Sequence, residues 1–220
     1  MRTYQNRQHA GRGLAKVLAE YDNQPDTIIL ALPRGGVPVA TEIAQALNLP
    51  LDIFVVRKLG TPGHEEMAMG AIASGGVRIL SKDLIKALDI SQSEIETVTE
   101  REYQELQRRE TAYRDGRTMP ELNNKTVILV DDGTATGSSM KAAIQGLRQH
   151  NPMKIVVALP VGSQEACKEI GQMVDELTCL MTPSNFRGVG AWYDKFDQTS
   201  DDEVRHLLQQ ANEREAIAKS

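Results

Sequence analysis

Residues 127–140 read VILVDDGTATGSSM: four apolar residues, two adjacent aspartates, then glycines and small hydroxylated residues. Carboxylates at the end of an apolar strand can accept hydrogen bonds from hydroxyl groups or hold a divalent cation through oxygen. The next residues, Gly133 to Gly137, must turn the chain into a helix beginning near Ser138. A helix start offers backbone N–H groups with no intrahelical acceptor, here beside the hydroxyls of Thr134, Thr136, Ser138 and Ser139, which is a cradle for phosphate. An anion cradle beside two carboxylates would repel its own ligand unless the carboxylates face neutral sugar hydroxyls or a Mg²⁺ carried in by the ligand. A sugar phosphate satisfies both halves. The plainer alternative, that Asp131 and Asp132 only cap the helix, would suit a lone aspartate better than this whole pattern. Other phosphate and nucleophile motifs fail on residues. No Gly-Lys pair supplies a Walker A loop, no G-x-G-x-x-G follows the first strand, and Lys141 stands where G-x-S-x-G needs glycine.

Positioning these residues requires a sheet. Leu14, Val17, Leu18 and Tyr21 fall at helical intervals within 8–21, and TIILAL (27–32) is a short apolar strand before Pro33. VPVATEIAQALNL (37–49) reads as helix and LDIFVVRKL (51–59) as one buried strand ending in two cations. TPGHEEMAMG (61–70) reads as a mobile loop, and AIA with VRIL as a hairpin around Ser74, Gly75 and Gly76. Residues 91–117 form a charged amphipathic helix with a sparse stripe of Ile95, Val98, Tyr103, Leu106 and Tyr113. Three further strands, TVILVDD, KIVVALPV and VDELTCLM, alternate with helices at 136–149 and 163–173, and a last helix after Asp201 turns Val204, Leu207 and Leu208 inward. Buried strands alternating with helices predict a parallel sheet covered on both faces, with ligands bound beyond the carboxyl ends of its strands.

With 220 residues, 40% hydrophobic, the chain suffices for one core of ordinary size, so a single domain over 1–220 is expected. A formal net charge of −5 argues against a nucleic-acid partner and for small ligands. Cys167 and Cys179 lack metal-binding spacing and read as buried free thiols. No apolar run is long enough to cross a bilayer, and the expected location is cytoplasmic.

The stretch at 127–140 closely resembles the 5-phosphoribosyl-1-pyrophosphate (PRPP) binding motif of type I phosphoribosyltransferases. The resemblance implies that Asp131 and Asp132 hold the ribose hydroxyls and Mg²⁺, directly or through water. It implies that Thr134, Ala135, Thr136, Gly137, Ser138 and Ser139 bind the 5′-phosphate. Pro33-Arg34-Gly35-Gly36 stands where the family carries its pyrophosphate loop, so that Arg34, Gly35 and Gly36, with Arg57 and Lys58, would bind the pyrophosphate. Residues 61–70 would be the flexible catalytic loop, in which His64 reads as a solvated residue without a task. Arg57, Lys58 and Asp132 would act in catalysis. A hood at about 182–200 would cover the base, with Phe186, Trp192 and Tyr193 as stacking candidates; a small satellite core is the other reading of these aromatics.

The implied fold is α/β, a central parallel sheet flanked by helices, with a charged helical insertion at about 91–117 and a small C-terminal hood. The implied reaction is transfer of the phosphoribosyl group from PRPP to a nitrogenous base or other amine, with Mg²⁺ and release of pyrophosphate, as in nucleotide salvage. The alternative is a PRPP-binding sensor without turnover. A receiver-like signalling domain also carries acids at strand ends, but the glycine and hydroxyl loop argues against it. Hypoxanthine-guanine enzymes carry an Asp where this chain has Ala135, so a base for a 6-oxopurine is not supplied there. The sequence leaves open the acceptor and whether the protein is a monomer or a homodimer. Nearly the whole chain resembles a bacterial group whose acceptor is not established.

Overall fold

The computed structural model describes residues 3–218. Its centre is a five-stranded, wholly parallel sheet in the order β2 (Leu51–Ile53), β1 (Thr27–Ala31), β6 (Thr126–Val130), β7 (Lys154–Val161), β8 (Glu176–Met181). The sequence TIILA and TVILV leaves no polar face, and both β1 and β6 are buried at every position. Side-chain alternation then feeds two cores. Ile29, Ala31, Ile128, Val130, Val156 and Ala158 face α1 (Arg7–Val17), α2 (Gly36–Ala46) and α7 (Asp201–Ala218). Ile28, Leu30, Val127, Leu129, Val157 and Leu159 face α5 (Ser138–Arg148) and α6 (Gln164–Gly171).

A three-stranded antiparallel sheet, β3 (Val56–Thr61), β4 (His64–Ala73) and β5 (Val77–Leu80), stands beside the central one. The expected hairpin around Ser74 to Gly76 is present, with Ala71 opposite Ile79 and Ala73 opposite Val77. The expectation of one strand over 51–59 is corrected, because the chain changes sheets at Phe54 and Val55. The Phe54 N–H still bonds Ala31 of the parallel sheet, whereas the Val55 N–H is taken by the Ser74 hydroxyl. The residues of 61–70 are likewise not an irregular loop. They form the turn at Pro62-Gly63 and most of β4, with His64 to Ala68 exposed at the projecting tip.

The short α3 (Lys82–Ala87) leads to α4 (Gln92–Arg114), which begins with a capping box between Ser91 and Glu94. Ile95, Leu106 and Tyr113 of its stripe are buried. Two charged residues of this amphipathic helix turn away from solvent. Arg114 is 3% exposed and donates to Asp52 of β2 at 3.0 Å, while Glu102 accepts from Arg57 of β3. Both ties fasten the helix to the sheets. In α1 Leu14 and Leu18 are buried but Val17 lies outside the stripe, 53% exposed. Among the described residues no helix is long and apolar enough to cross a membrane.

Candidate functional site

The end of β6 carries Asp131 and Asp132 out of the sheet beside the end of β1, as the topology requires. The Asp132 N–H donates to Asp131 Oδ1 at 2.9 Å, folding the first carboxylate back over the loop. Burial and the adjacent Asp132 push the Asp131 carboxyl well above the usual carboxylate range. Asp132 is also pushed up by burial, against the opposing pull of Arg7, whose Nε lies 2.8 Å from Asp132 Oδ2.

The turn at Arg34 to Gly36 is brought against this pair. The Leu32 N–H bonds the carbonyl of Val130 at 2.8 Å, and the Gly36 N–H bonds Leu32 at 3.1 Å. A β-carbon at Gly35 would fall inside the Asp132 carboxylate, and one at Gly36 would lie 2.7 Å from the Val130 carbonyl. Glycine is therefore required here by close approach rather than by backbone angle, since Gly35 itself has helical φ and ψ. Arg34 reaches Asp201 at the start of α7, 3.5 Å away, and the Tyr113 hydroxyl donates to the same carboxylate at 2.7 Å.

On the other side, Gly133 to Gly137 leads into α5. Thr134 extends the sheet by one bridge to Gly162, its N–H bonding the Val161 carbonyl, and its hydroxyl accepts from the Gly137 N–H at 3.0 Å. Gly137 caps α5 at φ +73°, a conformation costly for a residue with a β-carbon. The Thr136 and Ser138 hydroxyls meet at 2.9 Å at the exposed mouth of the turn. Ala135 is held by its carbonyl, which accepts from the Ser163 hydroxyl at 2.7 Å. The loop thus turns the start of α5 toward the same edge of the sheet as the carboxylates, with the Ser138 N–H held at 3.4 Å by the Thr136 hydroxyl.

Not every expected residue joins this centre. Arg57 and Lys58 lie inside β3 of the antiparallel sheet rather than at the end of a parallel strand, opposite Ile72 and Ala71. Their ion-pair partners are Glu102 of α4, at 2.5 Å from Arg57 Nη2, and Glu66 of the hairpin tip, at 3.9 Å from Lys58 Nζ. The chain's change of sheet at residues 54 and 55 removes them from the strand end. Trp192 and Tyr193 are each 6% exposed, buried in a small core with Ala10 and Val161, so the satellite-core reading holds for these two and free stacking does not. Their burial follows from backbone pairing with the N-terminal segment, where the Tyr4 N–H bonds Trp192 and the Asp194 N–H bonds Tyr4. Phe186 packs partly exposed against that core.

Two contributors escape sequence reasoning. Arg7 lies 125 residues before its carboxylate partner, and Ser163 is 28 residues beyond the loop it supports. Only the Asn6 cap of α1, whose side chain accepts from the His9 N–H, marks the first region locally, and nothing local marks its reach.

The donor set also bears on Mg²⁺. Among the described residues no group of three or more His, Cys, Asp or Glu side chains could hold a metal ion. Two hard carboxylates with raised pKa values fit a cation that arrives with ligand oxygens, which leaves the protein to supply only part of the coordination.

Comparison with known proteins agrees with this geometry. The family model described as the phosphoribosyl transferase domain matches residues 3–194. A protein of Mycobacterium tuberculosis strain H37Rv, named "Putative phosphoribosyl transferase Rv0571c", is 42% identical over 212 residues, covering 96% of this chain and 48% of its own length. Its counterpart in strain CDC 1551 matches equally. The chain thus spans about half the length of the curated relatives it matches. The solved structure of TT1426 from Thermus thermophilus superimposes with a TM-score of 0.84 at 38% identity, covering 96% of this chain and 99% of that one. The carboxylate pair beyond β6, the glycine and hydroxyl turn into α5 and the matched length lead to one conclusion: the chain belongs to the type I phosphoribosyltransferase family.

Proposed function

We propose that the protein binds PRPP with Mg²⁺ and transfers its phosphoribosyl group to a nitrogenous base or another amine, releasing pyrophosphate, as a cytoplasmic step of nucleotide salvage. The observation that supports this reading is that Asp131 and Asp132 lie between two glycine-containing turns that each lead into a helix, Arg34 to Gly36 on one side and Thr134 to Ser139 on the other. A phosphate at each end and hydroxyls in the middle is the layout of a phosphorylated ribose carrying pyrophosphate.

In this reading the Thr134 to Ser139 loop takes the 5′-phosphate through backbone N–H groups and hydroxyls, and the two carboxylates take the ribose hydroxyls. Arg34 and the glycines beside it take the pyrophosphate. Asp131 and Asp132 would help hold a Mg²⁺ carried in with the ligand, which would supply neutralisation of the pyrophosphate charge. Displacement at the anomeric carbon passes through an oxocarbenium-like state, so no protein nucleophile is required. The protein's part is to hold acceptor and sugar in line and to meet charge that grows on the leaving group. Arg57 and Lys58 sit on the strand that carries the projecting β3–β4 hairpin. They reach the leaving group only if the hairpin folds over the site and Glu102 and Glu66 release them, which is the work of a lid. Losing one such cation from a transition state costs about 2 to 4 kcal/mol.

Incubation with PRPP, Mg²⁺ and a panel of bases and amines, followed by pyrophosphate release, tests the proposal. Acceptor-dependent release supports it. Tight binding of PRPP with no release for any acceptor converts the reading to a sensor, and absence of PRPP binding refutes both.

A further inference from the structure

Arg7 lies far from every motif in the sequence, yet in three dimensions it is the hub of the sugar end of the site. Its Nε donates to Asp132 Oδ2 at 2.8 Å, with the two side chains only 11% and 14% exposed. Its Nη1 donates to the Asp197 carbonyl at 2.6 Å, and its guanidinium carbon sits 4.0 Å from the centre of the Phe196 ring. Both of those partners belong to the hood. The guanidinium is therefore held on three sides, by two hydrogen bonds and one aromatic face, which fixes its plane. Asp132 is held equally closely. Oδ2 is turned toward Arg7 and toward the space that a side chain at Gly35 would occupy, while the Tyr193 hydroxyl donates to the Asp132 main-chain carbonyl at 2.5 Å. Oδ1 carries no bond to Arg7 and is the oxygen left to meet a ligand.

We propose that Arg7 is a positioning residue for the sugar subsite: it clamps the Asp132 carboxylate across the Arg34 to Gly36 turn, so that the site prefers a ligand with both ribose hydroxyls over a deoxy sugar. The proposal rests on the phosphoribosyl reading above. The physical reason is that an aspartate carboxylate, free to turn about χ1 and χ2, rewards a hydroxyl fully only if its oxygen is already aimed at it. An unclamped one must lose that freedom when the ligand arrives. The clamp also couples the hood to the sugar. Tyr4 and Gln5 pair with residues 192–195 immediately before Arg7 enters α1, so a shift of the hood is carried to the Asp132 carboxylate through Arg7 and to its main chain through Tyr193.

Calorimetric titration of the parent, Arg7→Gln and Arg7→Lys with ribose 5-phosphate, its 2-deoxy and 3-deoxy counterparts and inorganic phosphate tests this. The parent is expected to prefer ribose 5-phosphate over the deoxy sugars. In Arg7→Gln the affinity for ribose 5-phosphate should fall about tenfold, in line with loss of a charge-assisted hydrogen bond, and the preference should collapse while inorganic phosphate binds as before. Arg7→Lys, which keeps the charge without the fixed fork, should fall between the two. It carries the test alone if Arg7→Gln does not fold, as judged by thermal melting. Three results overturn the proposal: an unchanged preference, an equal loss for every probe including phosphate, or tighter ribose binding in Arg7→Gln, which would make Arg7 a competitor for the carboxylate. If the parent binds none of the sugar phosphates, the phosphoribosyl reading itself fails and the proposal goes with it.

Discussion

At the scale of single residues, the site is defined by charge held in unfavourable places. Asp131 is half-buried beside a second carboxylate, and its native pKa is raised above its unfolded value. The folded state therefore binds more protons than the unfolded one between those two values, and stability is lost as pH rises through that window from about 4. Asp131→Asn should raise the melting temperature at pH 7 with chelator present, and the gain should shrink toward zero as the pH is lowered to about 4. A gain independent of pH would show that the burden is steric and not electrostatic. Gly35 makes a separate prediction. Gly35→Ala should displace Asp132 and cost about 1 to 3 kcal/mol of stability, the usual cost of overpacking. Adding Asp132→Ala to Gly35→Ala should recover most of that loss, because the clash is with this one side chain. Chemical denaturation of the two single variants and the double variant measures the coupling.

At the scale of elements, α4 is the part whose role differs most from its appearance. Its sequence is dominated by charge, yet Glu102 and Arg114 point inward and tie the helix to β3 and β2. Arg57→Ala would leave the buried Glu102 with only the exposed Arg101, 3.2 Å away, as its cationic partner, so a loss of turnover in that variant alone would not prove a role at the leaving group. The double variant Arg57→Ala with Glu102→Gln separates the two effects. It should regain stability, and under the proposed mechanism it should still show a kcat lowered along with kcat/KM. A double variant with normal kcat would make Arg57 a structural residue only. The same distinction applies to the β3–β4 hairpin, where Lys58 reaches toward Glu66 and the Glu66 carbonyl, at 3.3 Å, across the strand pair.

At the scale of the whole molecule, four of the five charged residues assigned to PRPP hold an internal counter-ion: Asp132 holds Arg7, Arg34 holds Asp201, Arg57 holds Glu102 and Lys58 holds Glu66. Ligand binding in the proposed mode exchanges some of these pairs for contacts to the ligand and brings the hairpin onto the parallel sheet. PRPP with Mg²⁺ should raise stability by about 2.7 kcal/mol at a hundredfold excess over Kd. Amide hydrogen exchange in 62–68 should slow in the same complex, since that exposed tip would become covered. Stabilisation without slowed exchange at the tip would place the lid elsewhere.

The parallel sheet, its flanking helices and the placing of two carboxylates before a glycine and hydroxyl turn into a helix were legible in the sequence because they depend on local patterns. A short, β-branched apolar run such as TVILV, bounded by polar residues, favours an interior strand, and acids followed by Gly and Thr mark its end. The stripe of α4 and the hairpin around Gly75 were legible for the same reason. What tertiary structure decided was every relation between segments far apart in the chain. LDIFVVRKL has no residue that announces a break, so only the competition between Ala31 and Ser74 for its backbone splits it between two sheets and moves Arg57 and Lys58 off the strand end. The hood aromatics could equally stack on a ligand or on one another, and pairing with Tyr4 buried Trp192 and Tyr193. Arg7 is one of many arginines until the fold sets it against Asp132, because a charge finds its counter-ion through space and not along the chain.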